Sequence, residues 1–144
     1  MSGTAVVAIY AAIIATAGLG WQIYTWGRIH KTRVTVSITN AIFGFPEGNV
    51  GGVTIEAVNN SSHPIRVKSA GFEMNDGTDR HLQIIRPGFG SSLPGQIEPH
   101  DSGMIWMREE EMHEAGCDIY KPLVAWVSTP EGTFKSKALT MRTR

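Results

Sequence analysis

Only one cysteine, Cys117, occurs in 144 residues. A lone thiol excludes an intramolecular disulfide framework, and it fits a reducing compartment better than an oxidising one. No charge excess exists either: 13 Lys and Arg balance 13 Asp and Glu, so no global basic field points to nucleic acid. The histidines are scattered, with no two of His63, His81, His100 and His113 at ligand spacing. Met112, His113 and Cys117 form the one Met-His-x-x-x-Cys cluster. It reverses the Cys-before-His-and-Met order of copper sites on β-sandwiches and has no second His, so a copper-handling domain would have to break that pattern. His100-Asp101-Ser102 holds the letters of a triad, but strand neighbours point to opposite faces and cannot form the relay. The glycine loops lack the Lys and Ser/Thr of a phosphate cradle. The residues therefore imply no enzyme, no metal and no cofactor.

Charge is also missing from the whole stretch Thr4 to Trp26 (TAVVAIYAAIIATAGLGWQIYTW). As a helix rising about 1.5 Å per residue it covers roughly 34 Å, enough to cross a hydrocarbon core of about 30 Å. Trp21, Tyr24 and Trp26 crowd its C-terminal end, where rings sit at the headgroup level. A cleavable signal peptide would use Ala5 to Ile14 with Ala15-Thr16-Ala17 as the cut. Met1 to Thr4 carries no Lys or Arg, however, and the uncharged run continues well past that point. The expectation is an uncleaved anchor over residues 1–27, then a short basic juxtamembrane linker over 28–33. Arg28, Lys31 and Arg33 follow the span and no Lys or Arg precedes it. The positive-inside rule then puts the N-terminus outside and the remaining domain in the cytoplasm. Small residues recur every fourth position at Thr4, Ala8, Ala12, Thr16 and Gly20. Such a row lets helix backbones approach closely, which suggests self-association or docking onto a membrane-protein partner.

Residues 34–144 read as one domain rich in strands and turns, with Gly 16 and Pro 7 in the whole chain. Val34, Val36 and Ile38 alternate with polar residues as a half-buried strand does. A glycine-rich loop is expected at Phe43 to Gly52 (FGFPEGNVGG), then a strand with Val53, Ile55 and Ala57 on one face. Asn59 to Pro64 marks a turn. The apolar parity then switches from Ile65 and Val67 to Ala70, Phe72 and Met74, predicting a β-bulge near Lys68 to Gly71. Asn75-Asp76-Gly77 is a hairpin signal. Leu82 and Ile84 return, Arg86 to Gly95 forms a long loop, and Ile97 to Met107 reads as strand broken by Pro99. Glu109 to Glu114 suits one short helix that Gly116 can cap. Leu123 to Val127 is a strand, Thr129 to Gly132 a tight turn, and Phe134 to Met141 the last strand. About seven strands and one short helix predict a mainly β, Ig-like antiparallel β-sandwich, with a closed barrel as the alternative. Trp106 or Trp126 is expected to fill the core.

The segments VTVSITN, GGVTIEAVNNSSHPIRV, LPGQIEPHDSGMIWM and AWVSTPEGTF carry a resemblance to single-pass membrane proteins with one prokaryotic Ig-like domain, many of unassigned function. It covers most of residues 34–140 and implies a fold rather than a catalytic residue.

Reversing direction at each connection sorts the loops to two ends. Phe43 and Phe45 fall beside the acidic helix residues Glu109, Glu110 and Glu111 at the end expected far from the bilayer. This is the candidate partner surface, unless both rings fold back onto the sandwich. Phe89 falls at the near end, within reach of headgroups. Lys135, Lys137, Arg142 and Arg144 suit a solvated sheet edge. The expected function is a non-enzymatic, membrane-tethered interaction module, an accessory subunit or scaffold. An envelope or surface ligand-binding protein with the sandwich outside is the alternative.

Overall fold

The uncharged N-terminal run forms a single helix, α1, over Gly3–Ile29. Its first turn is capped by the Ser2 hydroxyl, which accepts from the Ala5 amide at 3.2 Å. It is long and apolar enough to cross a membrane, and none of its residues is buried. The computed structural model describes residues 2–75 and 80–141. The chain divides into two compact units, residues 1–31 and 32–144.

The second unit is mainly β, built from nine described strands and one short helix. β1 (Val34–Phe45), β2 (Gly48–Asn59) and β7 (Ser102–Arg108) make an antiparallel sheet in the order β1-β2-β7. β3 (Ile65–Val67) pairs with β6 (Gly95–Ile97). β4 (Ser69–Met74), β5 (His81–Gln83), β8 (Leu123–Thr129) and β9 (Gly132–Lys135) make the third sheet, ordered β5-β4-β8-β9. The first and third sheets face each other across one core. Val36, Ile38, Val53, Ile55 and Ile105 supply one side, and Phe72, Leu123, Ala125 and Val127 the other. This layering is compatible with an Ig-like sandwich. The short helix α2 spans Glu109–Glu114, and Gly116 follows it at φ 84°, as its capping role requires.

Three expectations are corrected. Phe43 to Gly52 is no loop: β1 and β2 run without interruption to a hairpin in which Phe45 faces Gly48 across Pro46-Glu47. The same Pro-Glu-Gly turn recurs where Thr129 faces Gly132. In both, proline presets one turn dihedral and the glycine takes positive φ (131° at Gly48, 145° at Gly132). The parity switch near Lys68 is a change of sheet rather than a bulge. β3 pairs with β6, and from Ser69 the chain pairs with β8, so the buried set moves by one residue. The last strand stops at Lys135. After it the Ser136 amide still donates to the Ala125 carbonyl (2.8 Å), and the chain next meets β8 at a bridge between Leu139 and Leu123. The hairpin signal beyond Asn75 lies outside the described residues, as do Arg142 and Arg144.

At the end opposite the β1–β2 turn, the Asn59 to Pro64 turn does more than reverse the chain. Asn59 is fully buried, and its amide donates to the carbonyls of His63 (2.9 Å) and Ile97 (3.0 Å) while accepting from Ser61 N–H (2.9 Å). The Ser61 hydroxyl accepts from the Arg33 amide at 2.7 Å, and the Arg33 carbonyl accepts from Asn60 N–H at 2.9 Å. The buried Asn59 and Ser61 side chains thereby have partners, which holds their cost down, while the buried His63 Nδ1 has no hydrogen-bond partner among the described residues. Arg33, expected in the linker, is bonded by its backbone into the β unit.

Candidate interaction surface

Side chains of β7 alternate, so Ile105 enters the core and Trp106 points to the outward face of its sheet. Trp106 is nevertheless only 1% exposed. Phe43 stacks on it (ring centroids 3.9 Å apart, planes at 18°), and Phe45 lies tilted at 6.2 Å. Residues 86–93 fold over the other side. A Cβ on Gly88 would stand 2.1 Å from the indole, so only glycine lets the backbone lie against the ring. The Trp106 Nε1–H donates to the Phe89 carbonyl at 2.8 Å. Neither tryptophan fills the main core as expected. Trp106 makes a second, smaller core on the sheet's outer face, and Trp126 is half-buried near Gly71. Phe43 and Phe45 thus fold back onto the domain, half-buried, and Phe43 is an internal packing residue.

The 86–93 segment also completes the free edge of β7. Gly88 N–H donates to the Trp106 carbonyl (2.9 Å), and Ser92 and Leu93 N–H donate to the Met104 carbonyl (2.9 and 3.1 Å). In return the Met104 amide donates to the Ser92 hydroxyl at 2.9 Å and the Trp106 amide to the Ser91 hydroxyl at 3.3 Å. Sequence reading placed Phe89 at the other end of the domain. The structure puts Arg86 to Phe89 beside Phe45, Arg108 and Glu111, around a cavity of about 200 Å³. The Arg108 guanidinium lies over the Phe45 ring, 6.0 Å from its centroid, and Phe89 is 87% exposed.

The acidic helix divides its residues. Glu111 borders the aromatic cavity, whereas Glu109 and Glu110 border a larger cleft of about 540 Å³ with His113, Cys117, Asp118 and Tyr120. Met112 is buried in the main core while His113 is exposed, so the Met-His-x-x-x-Cys run does not converge. Among the described residues no three of His, Cys, Asp and Glu are gathered for a metal. Cys117 is 5% exposed, and burial, aided by the charge of Asp118, pushes its thiol up to about 11. It therefore stays protonated at neutral pH.

In α1, Thr4, Ala8, Ala12, Thr16 and Gly20 keep their four-residue spacing, and the Thr16 hydroxyl donates to the Ala12 carbonyl at 2.8 Å. The hydroxyl is thus satisfied within its own helix. At the C-terminal end Trp21 and Tyr24 lie 5.9 Å apart, Arg28 sits over the Tyr24 ring, and Trp26 stacks on His30 at 4.5 Å. Lys31 is exposed.

No protein-family model and no curated protein matches this sequence. Among solved structures, the X-ray structure of Northeast Structural Genomics Consortium target SoR45 is similar at 13% identity, over 80% of this chain and 89% of that one, with a TM-score of 0.36. A likeness at that level bears on neither fold nor function.

Proposed function

We propose that the chain is a non-enzymatic, membrane-tethered interaction module, an accessory subunit or scaffold of a membrane complex. Its α1 is the anchor, and its antiparallel sheets form an Ig-like sandwich on the cytoplasmic side. One observation carries this reading. Phe89 is held out at 87% exposure next to Phe45, Arg86 and Arg108, around a cavity large enough for a partner's side chain. Aromatic rings with arginine are the composition of interface hot spots, and the backbone under Phe89 is fixed by the Trp106 hydrogen bond rather than free. The charge asymmetry of Arg28, Lys31 and Arg33 supports the orientation.

Pull-down of the intact chain from mild detergent tests the surface. The double variant Phe89→Ser, Arg108→Ser should lose a protein that the wild type retains, at unchanged expression. Retention of every co-purifying protein would overturn the assignment of this surface. Changing Thr4, Ala8, Ala12, Thr16 and Gly20 to leucine separates the helix's share, since only helix-mediated partners should then be lost. Cys117 is too buried to report topology, so a cysteine at exposed Glu131 in a Cys117→Ser background serves instead. Protection from an impermeant thiol reagent on intact cells is expected. Prompt labelling would place the domain outside and favour the surface-binding alternative.

A further inference from the structure

The two outer strands on one side of the layered domain, β1 and β9, are built differently. β9 is four residues long, ends at Lys135, is followed by Lys137, and pairs with β8 only intermittently beyond that point. Short length, lysines and irregularity are the usual protections of a sheet edge. β1 has none of them. It runs twelve residues (VTVSITNAIFGF) with no charge and no proline, in unbroken register with β2 from Val34 opposite Asn59 to Phe45 opposite Gly48. Alternate amides and carbonyls of β1 necessarily face away from β2. Among the described residues no strand or loop pairs with them, although β7, the other edge of the same sheet, is covered by residues 88–93.

A groove of about 590 Å³ opens along the first part of this edge, between Val34–Ile38 and residues 135–139. Val36 and Ile38 are 7% and 8% exposed beside it, and Leu139, at 45%, stands on its rim. The charged side chains that line it are both cationic. Lys135 pairs with Glu73 at 2.8 Å, while Lys137 is exposed and has no ion pair among the described residues. We propose that β1 is a docking edge for an extended protein segment that carries both apolar and acidic side chains and adds to the sheet as a strand beside it. Main-chain hydrogen bonds would give affinity, the apolar groove would set register, and Lys137 would select a carboxylate. A second copy of this chain is the poorer fit, because its own β1 offers Lys137 no negative charge. The inference rests on the reading of the chain as an interaction module but uses a surface other than the Phe89 cavity.

The test uses the full chain in detergent micelles and two nine-residue synthetic peptides that alternate valine with either glutamate or lysine. Amide hydrogen exchange should show the glutamate peptide protecting alternate amides of Val34 to Ile42. The lysine peptide should bind about two- to fivefold more weakly, the scale of one exposed charge pair. Lys137→Glu should erase or invert that preference, whereas Lys68→Glu, on β-unit surface away from the groove, should leave it. A proline at the centre of the glutamate peptide should abolish protection. No protection at β1, or equal binding of both peptides, would overturn the proposal. Concentration-dependent protection of β1 without peptide would overturn it too, in favour of pairing between copies. These outcomes are read on β1 amides and leave the pull-down result at Phe89 standing either way.

Discussion

The two edges of the β1-β2-β7 sheet solve one problem in opposite ways. β7 is short and closed: its outward amides and carbonyls are taken by Gly88, Ser91, Ser92 and Leu93, and Trp106 anchors that segment by its ring and its N–H. β1 is long, uncharged and open. Backbone polar groups on a sheet edge must find either protein or water. On β7 the chain spends eight residues to supply protein, and on β1 the described residues supply none. The difference teaches that edge covering in this molecule is selective, and the uncovered edge is the one the proposed docking uses.

Four changes would break or sharpen that contrast. Trp106→Ala should have the largest effect, a loss of about 3–5 kcal/mol in urea unfolding, because it empties the smaller core and frees the covering segment at once. Gly88→Ala forces a methyl into the indole and should cost about 1–3 kcal/mol. Its signature is faster exchange of the Met104 and Trp106 amides with β1 exchange unchanged. Ser92→Ala removes the acceptor for the Met104 amide and should cost about 0.5–1.5 kcal/mol, with exchange raised at Met104. Ser37→Lys, exposed on β1, should stay within about 0.5 kcal/mol of wild type. It would, however, put a second cation beside Lys137 on the open edge and weaken binding of the lysine peptide further relative to the glutamate peptide. If Ser37→Lys cost as much as Gly88→Ala, β1 would already be covered and the contrast would fail.

Much of this was legible from residue order, but unevenly. Alternation placed the strands of the core, because a half-buried strand writes its two faces directly into the sequence, as in Leu123, Ala125 and Val127. The turn Thr129-Pro130-Glu131-Gly132 was recognised, while Phe45-Pro46-Glu47-Gly48, chemically the same, was read as part of a loop. Four glycines between Gly44 and Gly52 masked it, although Ala41, Phe43 and Phe45 kept strand period up to the proline. The parity switch at Lys68 was seen, but a bulge and a change of sheet shift parity alike, and only the pairing partner distinguishes them. Trp106 misled because a large apolar residue next to Ile105 reads as core. Its burial depends on a segment that arrives from Arg86 to Leu93, and no local pattern announces that. The Phe89 surface was missed for the same reason: its position follows from the covering of β7, a long-range event.

The Asn59 knot has a mechanical consequence. Any load entering the β unit from its N-terminal side arrives at Thr32 and Arg33, where the chain is clamped by Ser61 and Asn60 before β1 begins. Beyond the clamp lies a twelve-residue antiparallel ladder whose bonds run across the direction of pull, so they share the load in shear instead of opening one by one. Thr32 adds a tie to the His63 ring at 3.1 Å. Tension entering at Thr32 would therefore reach the far end of β1 only after this clamp had given way.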